Sequence, residues 1–333
     1  MNGREEHVQR QRVYIHRLQY LLYDEYMDGA NEELLSSFAD VVNDADAEEP
    51  IRPEAMAERL RGVTGILSLN GSGACDVTAE ALRAAGSVKV AVVSHWWHGS
   101  HDEASAMWRE AGVEVIDESD ACNEAVAEWT IGAAIAGLRR FEQYDREMHA
   151  GERWPSWRRA GQLNGSTVGL ISLGRVGRIV AGYLRAFDCR VIAYDPFVSP
   201  EIAGELGAEL VDLDTLLATS DVVSVHSPVL PQTRGLLGAR ELGLIRDGAV
   251  FVNSARAAIV DGEAFRAELA RGRFTAYLDV FEPEPPPEDD ILRRLDNVVM
   301  TPHVAGTTPL MFLRCGRMAV ERLRRYLASG ARS

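Results

Sequence analysis

Residues 167–195 most constrain the fold of this chain, because they follow the order strand, glycine turn, helix and strand. A short apolar run ends at Ile171, and the turn after it carries Gly174 and Gly177. A helical pattern follows, and a second apolar strand closes at Asp195, roughly 20 residues after the turn. This order predicts a βαβ dinucleotide-binding site. The helix N-terminus would offer N–H groups and a positive dipole end to a pyrophosphate.

Two residues of this stretch bear on the prediction: Ser172 departs from the motif, and Asp195 supports it. Ser172 stands where the G-x-G-x-x-G motif begins with glycine, so an ordinary tight strand–helix turn is the alternative interpretation. The flanking strand and helix and the acid at Asp195 favour the dinucleotide site. Asp195 would accept hydrogen bonds from the adenosine ribose and repel a 2′-phosphate, and no arginine follows it directly. We therefore predict NAD rather than NADP.

Length and composition narrow the class of protein. The 333 residues are enough for two domains, and a net charge of −15 argues against a nucleic-acid or anionic-membrane partner. The four cysteines form no C-x-x-C pair, which favours reduced thiols in a cytoplasm over disulfides or a zinc site. The N-terminus is polar, unlike a signal peptide, and no apolar run approaches membrane-spanning length.

Most of the remaining chain alternates between strand and helix patterns, which predicts an α/β fold with parallel sheets. Residues 13–17 fit either a strand or the start of a helix. Residues 31–38 read as a helix with Asn31 as a possible cap, and residues 124–144 read as one long helix.

Three polar residues of the second half each follow a predicted strand: Arg256, Glu284 and His303. The carboxyl ends of parallel strands share one sheet edge, where open α/β sheets bind ligands. Catalysis is one interpretation. The alternatives are a surface ion pair for Arg256, a solvated acid for Glu284 and a turn residue for His303.

The chain resembles the D-isomer-specific 2-hydroxyacid dehydrogenase family over residues 89–303. The matching segments occur in the family's order and are residues 123–128, 172–177, 226–228 with Thr233, 253–256 with 260–261, 278–285 and 301–303.

The resemblance implies a role for each matching residue. Arg256 would bind the carboxylate of a 2-oxo acid, His303 would exchange a proton with its carbonyl oxygen, and Glu284 would orient the imidazole. Asp279 would contact the nicotinamide carboxamide. The implied cofactor-binding residues are Gly174, Arg175, Val176, Gly177, Asp195, His226, Pro228, Thr233, Ser254, Ala255, Arg256, Asp279, His303 and Gly306.

The resemblance also implies two Rossmann-like or flavodoxin-like domains with the active site between them. Residues 1–122 with 306–333 would bind substrate, and residues 123–305 would bind NAD. The long helix and the tryptophan-containing segment after it match the part that family members use to form homodimers.

One loop departs from the family. Residues 94–98 contain His95 and Trp96 where the family usually has a small glycine-rich loop. We predict that at least one of these two side chains contacts the substrate, although Trp96 could instead pack within its own domain. A metal at His95, His98 and His101 is disfavoured because no cysteine joins them, so we predict no metal.

Two other functions remain open. A nucleotide-sensing protein resembling the C-terminal-binding-protein corepressors would share the fold and the three polar residues. A phosphonate or formate dehydrogenase would also share the fold, although formate dehydrogenases usually carry glutamine where Glu284 stands.

Overall fold

The computed structural model describes residues 10–18, 22–94, 100–152 and 160–329. The chain divides into two compact units. Unit 1 comprises residues 1–122 and 308–333, and unit 2 comprises residues 123–307. Within the described residues, no helix combines the length and apolar character needed to cross a membrane.

Unit 1 contains a five-stranded sheet with the order β2-β1-β3-β4-β5, in which every pairing is parallel. Its strands are β1 (Gln11–Ile15), β2 (Ala39–Asn43), β3 (Gly65–Ser68), β4 (Val90–Val93) and β5 (Glu114–Asp117). Its helices are α1 (Tyr23–Tyr26), α2 (Gly29–Ser36), α3 (Pro53–Arg59), α4 (Ala79–Ala85), α5 (Ser100–Glu110) and, from the C-terminus, α13 (Pro309–Ser329).

Unit 2 contains a seven-stranded parallel sheet with the order β12-β11-β10-β9-β6-β7-β8. Its strands are β6 (Thr167–Ile171), β7 (Arg190–Tyr194), β8 (Ala208–Leu210), β9 (Val222–Val225), β10 (Val250–Asn253), β11 (Thr275–Leu278) and β12 (Val298–Met300). Its helices are α6 (Asn123–Arg139), α7 (Phe141–His149), α8 (Arg175–Leu184), α9 (Pro200–Glu205), α10 (Leu213–Thr219), α11 (Ala239–Leu244) and α12 (Gly262–Ala270).

The strand sequences explain this architecture. All residues of β4, β9 and β10 are buried, and these strands are rich in valine. Continuous apolar strands of this kind belong to parallel sheets that are covered on both faces. The predicted α/β fold with parallel sheets is therefore confirmed, and residues 13–17, which fitted a strand or a helix, begin within β1.

The structure corrects two helix predictions. The pattern of residues 124–144 is not one helix, because Arg140 adopts a left-handed φ of 57° and separates α6 from α7. Asn31 is not a cap. The Asp28 side chain caps α2 by accepting the Asn31 N–H at 2.9 Å, and the buried Asn31 amide donates to the backbone oxygens of Tyr26 and Leu313.

Strand β6 has β7 on one side and β9 on the other, so the strand order reverses between β6 and β9. Ligands of open α/β sheets bind beyond the carboxyl ends of strands at such a switch point. The glycine turn follows β6, and the segment beginning at His226 follows β9. Both segments therefore lie at this edge of the sheet.

Candidate active site

The glycine turn after β6 leads directly into α8. Gly174 is the N-cap of α8, no side chain caps it within the described part of the chain, and a Cβ at Gly174 would meet open space. Arg175 and Val176 begin the helix, so their backbone N–H groups belong to its first turn. At Gly177, a Cβ would lie 2.3 Å from the backbone oxygen of Ser172, so only glycine fits. The residues present fit a dinucleotide pyrophosphate held at a helix N-terminus.

Asp195 follows β7 and connects it to the glycine turn. Its Oδ2 accepts the backbone N–H of Leu173 at 2.8 Å, and its Oδ1 accepts that of Phe197 at 2.9 Å. A carboxylate oxygen accepts two hydrogen bonds, so each oxygen keeps capacity for a ribose hydroxyl. The position of Asp195 beside the turn thus also fits a dinucleotide.

The segment after β9 carries three of the predicted cofactor-binding residues. The buried His226 ring lies 3.0 Å from the Ser224 hydroxyl, and burial lowers the pKa of His226 to about 4. Pro228 is exposed, and its backbone oxygen accepts the Thr233 hydroxyl at 2.6 Å. Thr233 also accepts the backbone N–H of Leu230, so its hydroxyl closes this loop on itself.

The loop after β10 carries Ser254, Ala255 and Arg256. Ser254 is buried, and its hydroxyl lies 3.1 Å from that of Thr130 on α6. The Asn253 side chain accepts the Ala255 N–H at 3.0 Å and donates to the Arg256 backbone oxygen at 3.1 Å. The Arg256 side chain is exposed, and its guanidinium donates to the Ala255 backbone oxygen. This loop therefore fixes the Arg256 backbone while its cationic group faces solvent.

Asp279 follows β11 and is 1% exposed. Its Oδ1 accepts the Thr301 hydroxyl at 2.5 Å and the Val304 N–H at 2.8 Å. Its Oδ2 accepts the Ala305 N–H at 2.8 Å. The family resemblance implied a nicotinamide contact for Asp279. In the structure its three protein partners surround His303, which lies in the loop after β12.

Of the three polar residues that follow strands, His303 and Glu284 are hydrogen-bonded to each other. His303 Nδ1 lies 2.9 Å from Glu284 Oε2, and about two fifths of each side chain is exposed. A carboxylate only accepts hydrogen bonds, so Nδ1–H is the donor. His303 Nε2 is then the ring nitrogen that can exchange a proton with a bound molecule.

Strands β10, β11 and β12 are neighbours, so Arg256, Glu284 and His303 follow three adjacent strands at one edge of the sheet. Gly306 lies in the turn just before α13. His95 and Trp96 lie outside the described residues. Within the described residues, no group of three histidine, cysteine or acidic side chains is arranged to hold a metal.

Sequence reasoning assigned no role to Asn253 or Thr301. Asn253 could have been found, because asparagine at a strand end commonly accepts a backbone N–H two residues on. The Thr301–Asp279 hydrogen bond joins residues 22 positions apart. No local pattern marks such a contact.

Comparison with known proteins places the chain in a family. A family model described as "D-isomer specific 2-hydroxyacid dehydrogenase, NAD binding domain" matches residues 131–305.

Two relatives and one solved structure illustrate the similarity. The chain is 40% identical to D-3-phosphoglycerate dehydrogenase of Archaeoglobus fulgidus over 74% of this chain and 46% of that protein. It is 35% identical to hydroxypyruvate reductase of Thermotoga maritima over 75% of this chain and 81% of that protein. A crystal structure of a Thermus thermophilus protein superposes with a TM-score of 0.71 and 30% identity, covering 96% of this chain and 97% of that one.

The chain spans about half the length of the D-3-phosphoglycerate dehydrogenases it matches. The family predicted from the sequence motifs is confirmed by the match of the family model and by the Thermotoga relative. Residues 131–305 match the family's NAD-binding domain, and the chain belongs to the D-isomer-specific 2-hydroxyacid dehydrogenase family.

Proposed function

We propose that this chain is an NAD-dependent oxidoreductase that interconverts a 2-oxo acid and a D-2-hydroxy acid by hydride transfer. The observation that carries the proposal is the His303–Glu284 hydrogen bond at 2.9 Å, at the same sheet edge as the glycine turn. A proton donor and a dinucleotide turn on one edge are the two parts that reduction of a carbonyl requires. The names of the relatives, which are dehydrogenases and reductases of such acids, support the same chemistry.

The cofactor-binding residues would act as follows. The N–H groups at Arg175 and Val176 would hold the pyrophosphate, and Asp195 would accept from the adenosine ribose. Ser254, Ala255 and Asp279 would line the nicotinamide end of the site. Bound NADH would supply the hydride, and NAD would accept it in the reverse direction.

Three side chains would carry out the chemistry on the acid. Arg256 would bind the substrate carboxylate, because its planar guanidinium offers paired donors to a carboxylate. His303 Nε2 would donate a proton to the carbonyl oxygen as that oxygen gains negative charge, and would accept it back during oxidation. Glu284 would hold the imidazole through Nδ1, which keeps Nε2 directed toward the substrate.

The decisive experiment is an NADH-oxidation screen with purified protein over 2-oxo acids of increasing size, including aromatic and phosphonate-bearing acids. We expect turnover of at least one acid that His303→Ala reduces strongly. NADH binding without turnover of any acid would favour the nucleotide-sensing alternative.

We extend the proposal to the loop that contains His95 and Trp96. At least one of these two side chains would contact the substrate, and an indole there would disfavour the smallest 2-oxo acids. Trp96→Ala should change the ranking of kcat/KM over the size series. An equal loss for every acid would assign Trp96 to packing instead.

The homodimer and the compartment belong to the same proposal. Helix α7 exposes 55% of Phe141 and 53% of Met148, and large exposed apolar side chains favour a protein partner. Phe141→Glu should convert a dimer to a monomer in sedimentation equilibrium.

A cytoplasmic location is favoured because all four cysteines are free thiols.

A further inference from the structure

Ser172 adopts a backbone conformation that is unusual for serine. Its φ is 80°, in the left-handed region where a Cβ meets the neighbouring backbone. Glycine reaches this region freely, and Ser172 stands where the dinucleotide motif begins with glycine. Some contact of Ser172 must therefore stabilise a conformation that its side chain disfavours.

The Ser172 side chain makes a short hydrogen bond to the segment after β9. Its Oγ lies 2.6 Å from the Oγ of Ser227, which is 1% exposed. The Ser227 hydroxyl also lies 3.4 Å from the backbone oxygen of Ile171. The two hydroxyls thus connect the turn after β6 to the segment after β9, across the point where the strand order reverses.

The backbone of Ser172 is constrained on both sides. Its N–H donates to the backbone oxygen of Tyr194 at 2.9 Å. Its carbonyl oxygen would lie 2.3 Å from a Cβ at Gly177, so this oxygen is packed directly against the first turn of α8. A rotation at Ser172 would therefore move the N-terminus of α8, where the pyrophosphate would bind.

We propose that Ser172 and Ser227 are positioning residues for NAD. Their hydrogen bond stabilises the positive φ at position 172, which glycine would adopt without help. The turn is thereby held in the conformation that accepts the pyrophosphate. This inference rests on the proposed binding of NAD at the turn and adds two residues that do not themselves need to touch the cofactor.

The test is a double-mutant cycle read out by NADH affinity, measured by fluorescence titration without substrate. Ser227→Ala and Ser172→Ala each remove one hydroxyl and keep a Cβ at position 172. We expect each to raise the Kd for NADH about fivefold, which corresponds to one ordinary hydrogen bond. Ser172→Gly should keep the wild-type Kd, because glycine adopts this φ without help.

The coupling between the two positions is the critical measurement. In the Ser172→Gly background, Ser227→Ala should leave the Kd for NADH unchanged. An equal weakening by Ser227→Ala in both backgrounds would overturn the proposal, as would a wild-type Kd for Ser227→Ala alone.

Ser166 provides a matched control. Ser166 lies just before β6, at the opposite end of the strand from Ser172. It is buried, and its hydroxyl donates to the backbone oxygen of Leu163 at 2.7 Å. Ser166→Ala should lower the free energy of unfolding in urea without changing the Kd for NADH. Weaker NADH binding by this variant would show that any buried hydroxyl in unit 2 has the same effect, which would also overturn the proposal.

The result separates this inference from the proposed function. A wild-type protein that binds no NADH would remove both. Wild-type binding of NADH with no change in the two alanine variants would remove only the role of the Ser172–Ser227 pair.

Discussion

Asp279 Oδ1 accepts the backbone N–H of Val304, the residue that follows His303, at 2.8 Å. The same carboxylate accepts the Thr301 hydroxyl and the Ala305 N–H, so its partners lie on both sides of the histidine. His303 itself has a φ of 56°, which is rare for a residue other than glycine. A buried acid that follows the neighbouring strand β11 thus keeps the histidine backbone in a disfavoured conformation.

Asp279→Asn should lower both kcat and stability. One asparagine amide can replace only one of the two oxygens, and its NH₂ group would face a backbone or hydroxyl donor. We expect a loss of about 1–3 kcal/mol in the free energy of unfolding. Misplacing His303 should also lower kcat for 2-oxo acid reduction about tenfold or more.

Asp290 offers the control for Asp279. It is a buried carboxylate of the same unit that pairs with Arg266 and accepts the Leu292 N–H. Asp290→Asn should lose stability in urea and retain kcat. Wild-type kcat in Asp279→Asn would show that the loop keeps His303 in place without the carboxylate.

His303→Ala should lower kcat for 2-oxo acid reduction by about 10²–10⁴-fold, the usual contribution of general acid catalysis. The Kd for NADH should change less than about twofold, because proton transfer is not part of cofactor binding. Steady-state kinetics with fluorescence titration separates the two effects. A variant that keeps its kcat would exclude His303 as the proton donor.

Glu284→Gln tests whether the charge of the carboxylate matters beyond its hydrogen bond. Glutamine can still accept from His303 Nδ1 but cannot stabilise positive charge on the ring. We expect kcat to fall about tenfold, and further in Glu284→Ala. Glu282→Gln on the same loop, which breaks an exposed pair with Arg234, should keep the wild-type kcat. If Glu284→Gln has the same kcat as wild type, the charge of Glu284 is not needed and its role is only to orient the His303 ring.

Local patterns predicted most of the sheet, because buried parallel strands are continuous apolar runs with helices between them. The break between α6 and α7 was missed because Arg140 carries no glycine or proline signal for its positive φ. Helix α9 and strand β8 have only six and three residues, which are too few to show a period in the sequence.

In the candidate site, too, local motifs could be predicted from the sequence and contacts between distant residues could not. The glycine turn and the acid at Asp195 are local motifs, so their spacing predicts a function. The role of Asp279 as an acceptor for the His303 loop depends on β11 and β12 being neighbours. Likewise, the contact of Ser172 with Ser227 depends on β6 lying beside β9. Sequence separation hides both contacts.

Acid should destabilise unit 1 through His16. Burial lowers the pKa of this histidine from 6.5 to about 4 in the folded chain, where it lies beside the Ser68 hydroxyl and is 0% exposed. The unfolded chain binds a proton below about pH 6.5 and the folded chain does not, so stability is complete above that pH and falls toward pH 4. His16 should contribute about 2 kcal/mol to the loss of stability between pH 7 and pH 5.

The measurement is urea unfolding of wild type and His16→Asn at both pH values. The variant should lose about 2 kcal/mol less than wild type over this interval. Between pH 7 and pH 8 the two proteins should change in parallel, because His16 is then neutral in both states. An equal loss in wild type and variant between pH 7 and pH 5 would assign the acid sensitivity to other groups.

Asp195 should determine the choice of cofactor. Asp195→Ser removes the charge that would repel a 2′-phosphate, so the preference for NADH over NADPH in kcat/KM should fall at least tenfold. The variant also loses an acceptor for the Leu173 N–H, so its Kd for NADH should rise as the glycine turn loosens. Glu209→Gln on the adjacent strand β8 removes an exposed ion pair with Arg190 and should change neither value. A wild-type protein that already prefers NADPH, or an Asp195→Ser variant that excludes it as strongly as wild type, would contradict this role of Asp195.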